Sequence, residues 1–210
     1  MNNDKSINSY KRFYEDLNFD RAGLFETIKK EYGCNTVIYP GCSIHITPSF
    51  YFQHVVYVDI SKTAKEFFND TQNVVDYINS NRKYKQFAYI QFIHGDYTKA
   101  LPIRNENYDL LIALYAGEIT KSCKKYVRTG GIILTNNHHK DAEDLLKDSS
   151  ITLDGMICKK RNKYVIDKNI NGDLKDILKN HSNTKKDMKN TNNGLEYADN
   201  QCYFVLKKNK

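Results

Sequence analysis

Two residues that could form a ligand pocket follow two short apolar runs in the first third of the chain. Gly41 follows the run 37–39 and Pro40, and Asp59 ends the β-branched run 55–58. Such runs are typical of buried strands, and Pro-Gly is a strong breaker. In an open parallel sheet, ligands bind at the carboxyl ends of the strands, near the point where strand order reverses. A glycine turn beside a strand-ending carboxylate therefore predicts a nucleoside pocket in which Asp59 accepts both ribose hydroxyls.

The elements that would position these residues alternate between strands and helices. A short helix is expected between the first two strands. Strands are predicted at 37–39, 55–58, 87–93, 108–114, 132–135, 151–157, 164–166 and 202–206, and helices in two pieces over 4–33 and at 61–79, 118–127 and 141–146. The run YDLLIAL is apolar apart from Asp109, which is typical of a parallel strand covered on both faces. We predict an α/β fold, a three-layer αβα sandwich with a mostly parallel Rossmann-like sheet and an antiparallel last strand.

The length predicts one domain over residues 1–210. The N-terminal helical segment, 1–33, is expected to pack against the sheet, and covering the pocket is the alternative. Residues 159–200 are rich in Lys and Asn and predict an irregular excursion, with one turn of helix near Leu174, before the last strand.

The net charge of +7 is concentrated in one part of the chain. Residues 158–190 contain 10 Lys and Arg against 4 Asp and Glu, whereas residues 1–157 balance to zero. This basic stretch leaves a nucleic-acid-binding role open, although an AT-rich genome also enriches Lys and Asn.

The sequence also predicts where the protein works. The first residues lack an apolar signal core, and no apolar run approaches the roughly 18 residues that span a bilayer. We therefore predict a cytoplasmic protein without a membrane partner. The five cysteines are scattered without a CxxC pair, which favours free thiols over disulfides or a zinc site.

Several segments, in this order, resemble motifs of the class I S-adenosylmethionine-dependent methyltransferases. TVIYPGCS corresponds to the family's first motif, an acidic residue followed by a Gly-rich turn. VVYVD corresponds to the second motif, a strand whose final carboxylate binds the ribose hydroxyls of the cofactor. FIHGDYTKALP followed by NENYDLLIALYAG resembles the passage in which a Gly-Asp pair borders the adenine. RTGGIILTNN resembles the Pro-Gly-Gly turn into the fifth strand, with Thr in place of Pro. The resemblance covers residues 36–157 and the last strand.

This resemblance implies S-adenosylmethionine as the cofactor and a set of residues that would bind it. Asp96 would contact the adenine amino group and Tyr97 would stack on the base, whereas Tyr115 would shape the methyl-transfer channel. A surface-turn role for Asp96, a core role for Tyr115 and a helix-cap role for Asp59 are the alternatives. The implied cofactor-binding residues are Tyr39, Gly41, Ser43, Asp59, Ile60, Gly95, Asp96, Tyr97 and Tyr115.

The first motif departs from the family pattern. Tyr39 stands where the family has Asp or Glu, and Ser43 and His45 occupy positions where glycine is usual. Glycine suits such a turn because it has no Cβ and allows positive φ. Ser43 and His45 would therefore narrow the pocket or change its path. These departures leave a second interpretation open, a cofactor-free methyltransferase-like binding or scaffold protein.

The reacting groups are less clear from the sequence. Asn136, Asn137, His138 and His139 follow the fifth strand, where a histidine could act as a general base, but no third ligand is placed to make a metal site. Methyl transfer needs mainly alignment, so no catalytic residue is assigned. The fourth strand is not followed by an Asn-Pro-Pro-Tyr segment, which argues against methylation of adenine or glutamine amino groups, or by a Pro-Cys segment, which argues against methylation of cytosine C5. A small-molecule acceptor is favoured, and the absence of GxGxxG argues against a nicotinamide dehydrogenase.

Overall fold

The structure is a computed structural model that describes residues 5–161, 163–170, 176–178, 188–191, 194–197 and 202–209. The strands are β1 (Thr36–Pro40), β2 (His54–Asp59), β3 (Tyr89–His94), β4 (Tyr108–Ala113), β5 (Val127–Thr135), β6 (Ile151–Lys160), β7 (Lys163–Asp167), β8 (Met188–Thr191), β9 (Gly194–Tyr197) and β10 (Cys202–Lys208). The helices are α1 (Lys5–Tyr10), α2 (Ala22–Tyr32), α3 (Pro48–Tyr51), α4 (Lys62–Asn69), α5 (Thr71–Asn81), α6 (Ile119–Cys123) and α7 (Asp141–Leu145). A π-helical turn, Lys11–Glu15, follows α1, and a 3₁₀ turn, Lys124–Tyr126, follows α6.

Eight strands form one mixed sheet in the order β3-β2-β1-β4-β5-β10-β6-β7. The neighbouring strands in the row β3-β2-β1-β4-β5 are parallel to each other. β10 runs antiparallel to both β5 and β6, and β7 runs antiparallel to β6. The prediction of a Rossmann-like sheet with an antiparallel last strand is confirmed. Because the chain moves outward from β1 to β3 and then returns to β4 on the other side, the strand order reverses between β1 and β4.

The sheet separates two apolar layers, as the uniformly apolar strands predict. Alternate residues of one strand enter opposite layers: Val37 and Tyr39 pack with α1 to α5, whereas Ile38 packs with α6 and α7. Ile7 and Tyr10 of α1 are buried in the first layer, so the start of the N-terminal segment packs against the body of the domain. This arrangement is the predicted αβα sandwich.

Several element boundaries differ from the sequence prediction. The helix expected over 61–79 is two helices, because the chain bends at Asp70 between α4 and α5. The expected N-cap is confirmed, since Ser61 Oγ accepts the Ala64 N–H at 3.2 Å. β5 begins at Val127, before the Gly-Gly turn rather than after it. In the excursion 159–200, β8 and β9 form an antiparallel pair, and the helical turn predicted around Leu174 lies partly outside the described residues.

The prediction that the cysteines are free thiols is wrong for two of the five. Cys158 and Cys202 form a disulfide across β6 and β10, with Cα atoms 4.2 Å apart. The two residues are 44 positions apart in sequence, and only the antiparallel register of their strands places them opposite each other. Cys34, Cys42 and Cys123 are free and buried.

Within the described part of the chain, no helix has both the length and the apolar character needed to cross a bilayer.

Candidate functional site

A cavity of about 470 Å³ opens at the carboxyl ends of β1 and β4, where the strand order reverses. This is the position at which open α/β sheets bind their ligands. Its walls come from the N-terminal segment, the turn after β1, the start of α4 and the end of β4. The lining residues are Phe13, Tyr14, Phe19, Arg21, Tyr39, Gly41, Cys42, Ser43, Ile44, Ser61, Thr63, Leu114 and Tyr115.

The turn after β1 passes close to the loop after β4. Gly41 has a φ of 65°, and its N–H donates to the Val58 carbonyl oxygen at 2.8 Å. A Cβ at Gly41 would lie 2.8 Å from the Ala116 Cβ, closer than such atoms approach. Glycine is therefore required here by both backbone conformation and packing.

Asp59 connects the turn after β1 to the start of α4. Its Oδ2 accepts the Ser43 N–H and its Oδ1 the Ser61 N–H, both at 2.8 Å. Ser43 has a φ of 50°, so the carboxylate holds a serine in a conformation that usually requires glycine. Asp59 is 9% exposed and lies behind these two cavity-lining residues. A carboxylate has about four acceptor positions, so roughly two remain for a ligand.

His45 links Tyr39 to the N-terminal segment and lies behind the cavity wall. Burial, together with the Arg21 charge, lowers the pKa of His45 to about 3, so its ring is neutral. His45 Nε2 donates to the Asp20 carbonyl oxygen at 2.9 Å. Nδ1 must then be an acceptor, and the Tyr39 hydroxyl donates to it at 3.1 Å. Of the two effects expected of His45, narrowing the pocket or changing its path, the narrowing does not occur, because this 1% exposed side chain is buried under the turn.

Aromatic side chains of the N-terminal segment form one wall of the cavity. The Tyr14 ring stacks on His45 with centroids 4.4 Å apart, and the Phe19 ring lies 6.0 Å from that of Tyr115. Phe13 is 53% exposed at the mouth. The segment therefore both packs against the domain and covers the cavity. From the sequence, packing was the favoured role of this segment and covering the pocket was the alternative.

Arg21 contributes a buried positive charge to the same wall. It is 3% exposed, and its guanidinium lies 3.7 Å from the Phe19 ring centroid and 4.9 Å from that of Tyr115. Its Nε donates to the Tyr203 hydroxyl on β10 at 2.9 Å. No sequence pattern indicated this residue, since a single Arg before a helix is not distinctive.

Tyr115 lies at the end of β4 in a left-handed conformation, with a φ of 62°. Such a conformation is rare for a bulky residue and costs about 1–3 kcal/mol. His139 Nε2 donates to the Tyr115 carbonyl oxygen at 3.1 Å, which ties the loop after β5 to this position. Tyr115 is one of the residues that line the cavity, and its role in shaping a methyl-transfer channel stays a prediction.

The predicted adenine-side residues lie outside the cavity. Ile60 is 66% exposed just beyond Asp59, and the Gly95 N–H donates to the Asp59 carbonyl oxygen at 3.1 Å. Asp96 Oδ1 accepts hydrogen bonds from both the N–H and the hydroxyl of Thr98. These two bonds lower the pKa of Asp96, and they make its side chain the cap of a surface turn. The Tyr97 hydroxyl donates to the Gly117 carbonyl oxygen at 2.8 Å, so its ring bridges the ends of β3 and β4.

Solved structures of similar shape support this view of the fold. No family model and no curated protein matches the sequence. A SAM-dependent methyltransferase from Thermotoga maritima superposes with a TM-score of 0.51 at 10% identity, over 99% of this chain and 97% of that one. The N-methyltransferase NodS from Bradyrhizobium japonicum gives a TM-score of 0.52 at 9% identity, over 92% of this chain and 96% of that one. The chain has the class I methyltransferase fold.

A second cavity of about 600 Å³ lies elsewhere on this methyltransferase fold, between α6 and α7. Its lining includes His139 and Asp141, and Asp141 Oδ1 accepts the Thr120 hydroxyl at 2.8 Å. Burial raises the pKa of Asp141. Although larger, this cavity contains none of the predicted cofactor residues. The 470 Å³ cavity beside Asp59 is therefore the candidate site.

The polar cluster after β5 is largely structural in this fold. Asn136 and Asn137 are buried, and Asn137 Oδ1 accepts the Ala142 N–H at 2.9 Å, which caps the start of α7. His138 and His139 have ring centroids 4.7 Å apart. No group of three or more potential metal ligands occurs among the residues that the structure describes.

Proposed function

We propose that this protein is an S-adenosylmethionine-dependent methyltransferase that acts on a small-molecule acceptor. The observation that carries the proposal is the position of Asp59. Its buried carboxylate ends β2 beside the reversal of strand order and holds both loops that border the main cavity. The class I methyltransferase fold, together with this carboxylate, supports a nucleoside-containing cofactor more strongly than either does alone.

The residues present fit such a cofactor in three respects. Asp59 has roughly two acceptor positions left for the ribose hydroxyls. Ile60 offers an exposed apolar surface next to it for the adenine. Gly41 and Ser43 let the backbone turn past the cavity with left-handed conformations. Gly95, Asp96 and Tyr97 are proposed to border the adenine from the end of β3, and Tyr39 and Tyr115 to border the methionine part.

The chain's own contribution to the reaction would be binding, orientation and exclusion of water. When bound, S-adenosylmethionine supplies a methyl group on a positively charged sulfur, which is already activated for transfer. Tyr14, Phe19 and Tyr115 would shield the reacting atoms, because their rings close one side of the cavity. Holding the acceptor in line with the methyl group then lowers the barrier by alignment.

A small acceptor is favoured because the N-terminal segment covers the cavity. A macromolecular acceptor would need a wide approach to the end of β4, where Phe19 already lies against Tyr115. The basic stretch 158–190 remains the basis for the alternative of a nucleic-acid partner, and much of it lies outside the described residues.

The second candidate function is a cofactor-free binding or scaffold protein. The observation that favours it is that each Asp59 oxygen already accepts a backbone N–H. Tyr39 in place of an acidic residue points the same way.

Isothermal titration calorimetry distinguishes the methyltransferase from the scaffold function. The ligands are S-adenosylmethionine and S-adenosylhomocysteine, with NAD as a matched dinucleotide control. Micromolar binding of the first two and no heat with NAD is the result expected for a methyltransferase. Absence of heat with S-adenosylhomocysteine up to millimolar concentration would favour the scaffold role and overturn the proposal.

A further inference from the structure

We propose that the protein forms a two-fold symmetric dimer in which the edge strand β3 pairs antiparallel with β3 of a second copy. The proposal concerns an interaction surface and goes beyond the proposed reaction, because no residue of β3 lines the main cavity. It follows from the outward backbone groups of β3, from the absence of charge along this strand, and from the way its sequence matches itself when reversed.

The strand β3 presents a row of backbone groups at one end of the sheet. Within the described sheet it comes first in the strand order and pairs with β2 alone. The Tyr89 N–H donates to the Gln53 carbonyl oxygen at 2.8 Å, so Tyr89 and every second residue after it face β2. The N–H and C=O groups of Ile90, Phe92 and His94 therefore point away from the sheet.

These outward groups are available for a partner strand. The N–H of Ala88, at the start of the same row, donates to Asn79 Oδ1 at 3.0 Å, so α5 covers that position. Among the residues that the structure describes, none forms a hydrogen bond with the outward backbone groups from Ile90 to His94. A row of free backbone groups on an edge strand is a template for pairing with another strand.

The opposite edge of the sheet is protected by charge, whereas β3 is not. The other edge strand, β7, has the exposed residues Lys163 and Asp167 at its two ends. Lys168, which follows it, forms an ion pair with Glu31 at 2.6 Å. Charged side chains, proline and bulges are the usual means of blocking an edge strand. Residues 87–95 contain no Lys, Arg, Asp, Glu or Pro, and β3 stays in register with β2 along its whole length.

Two large aromatic side chains at this edge are exposed to water. Phe87 is 76% exposed and Tyr89 is 59% exposed. Of the large hydrophobic side chains that the structure describes, Phe87 is the most exposed. Covering such apolar surface is favourable by roughly 25 cal/mol for each Å² removed from water. A partner strand beside β3 would therefore gain from side-chain contact as well as from backbone pairing.

A second copy of the chain fits this edge because β3 matches itself in the antiparallel direction. With the two-fold axis at Phe92, this residue faces the partner's Phe92 and Ile90 faces the partner's His94. Each such pair exchanges two hydrogen bonds, which gives about six in all. Tyr89 faces the partner's Gly95, an arrangement in which an aromatic ring stabilises a strand glycine. Like charges opposite each other would be destabilising, and none meet in this register.

Sedimentation equilibrium of the full chain tests whether the dimer forms. The interface is one strand pair with its flanking side chains, so we expect a dissociation constant of about 10 µM. The average mass of the wild type should then rise from that of one chain towards that of two between about 1 µM and about 200 µM protein.

Substitutions of Gln91 test the position of the axis. In the proposed register the two Gln91 side chains lie diagonally across the axis on one face, about 7–8 Å apart. Gln91→Lys and Gln91→Glu each place like charges there, so each alone should weaken the dimer at least about tenfold. An equimolar mixture of the two variants should restore it, because the charges are then opposite. Val165→Lys puts the same charge on the exposed face of β7 and should leave the dimer unchanged.

A wild type that stays monomeric up to about 200 µM would overturn the proposal. A dimer that persists in Gln91→Lys, or one that Val165→Lys abolishes, uses another surface and contradicts it. If the mixture of Gln91 variants stays monomeric, the antiparallel pairing about Phe92 is wrong. Should the Gln91 variants fail to fold, Tyr89→Lys decides, since this exposed side chain is not needed for folding and an unchanged dimer would refute the interface. A monomer that binds S-adenosylhomocysteine would refute the dimer and leave the proposed function standing.

Discussion

At the end of β2, Asp59 has the residue type that the methyltransferase motif requires, whereas at the end of β1 the motif residues are replaced. Yet the second region has a defined geometry of its own. Tyr39 donates to a neutral His45, which donates in turn to the Asp20 carbonyl oxygen. Ser43 keeps the left-handed conformation of a glycine because its N–H is bound by Asp59.

The difference teaches that one carboxylate can hold a turn whose own residues depart from the motif that the sequence resembles. Asp59 holds the backbone of Ser43, so the two regions are mechanically linked. The region at the end of β1 also contacts the N-terminal segment, because His45 stacks on the Tyr14 ring and donates to the Asp20 carbonyl oxygen. Substitutions in each region should therefore separate loss of cofactor binding from loss of stability.

The largest effect is expected from Asp59→Ala. The N–H groups of Ser43 and Ser61 would lose their acceptor, and an unsatisfied buried donor costs about 1–3 kcal/mol. We expect the free energy of unfolding in urea to fall by about 2–4 kcal/mol. Affinity for S-adenosylhomocysteine, measured by titration calorimetry, should fall at least about 30-fold, or roughly 2 kcal/mol.

Asp96→Ala is the matched control for Asp59→Ala. Its carboxylate caps a surface turn through Thr98, so its loss should change stability by less than about 1 kcal/mol. Unchanged affinity in Asp59→Ala would remove the ribose assignment.

Gly41→Ala tests whether the turn after β1 is constrained by packing. The new Cβ would lie 2.8 Å from the Ala116 Cβ at a φ of 65°, so we expect a loss of about 2 kcal/mol in urea unfolding. Gly95→Ala is the control, because a Cβ there would make an ordinary contact with the Ile93 side chain at 3.8 Å. Equal stability of the two variants would show that the turn moves freely away from Ala116.

His45→Gln tests, through the pH dependence of stability, whether the buried His45 ring supports the turn after β1. Burial lowers the pKa of His45 to about 3 in the folded protein, against about 6.5 when unfolded. Between these values the unfolded state binds the extra proton, so stability falls as the pH falls. Between about pH 6 and pH 4, the free energy of unfolding of the wild type should fall more steeply than that of His45→Gln, by about 1 kcal/mol for each pH unit. Parallel curves in urea unfolding would contradict a buried neutral ring.

Ile60→Ala is expected to have the smallest effect on stability. Its side chain is 66% exposed, so the free energy of unfolding should change by less than about 0.5 kcal/mol. If the adenine packs on it, affinity for S-adenosylhomocysteine should fall about fivefold in calorimetry, because apolar contact is lost. Val165→Ala, 44% exposed on β7, should change neither quantity. Equal affinities of wild type and Ile60→Ala would place the adenine elsewhere.

Much of the fold could be predicted from the sequence because its signals are local. Apart from Asp109 the run YDLLIAL is apolar, which is typical of a strand covered by helices on both faces of the sheet. Asp59 could be placed for the same reason, since it directly ends a buried run. The break at Asp70 was missed because the apolar pattern continues through it.

The wall of the cavity could not be predicted in this way. Arg21 and Tyr14 precede β1 and reach the site only because the N-terminal segment folds back over it. The Cys158–Cys202 pair likewise depends on the register of β6 and β10. For Asp96 and Tyr97, contact with the adenine stays a prediction.

The sequence alone thus determined the layers of the sandwich, the parallel strands and the carboxylate at the end of β2, because burial follows from the periodicity of neighbouring residues. Tertiary structure decided which side chains meet: His45 beneath the turn, Arg21 between Phe19 and Tyr115, and Asp59 behind Ser43. These contacts join residues that are distant in sequence. Their formation depends on how whole elements pack, and no local pattern records that.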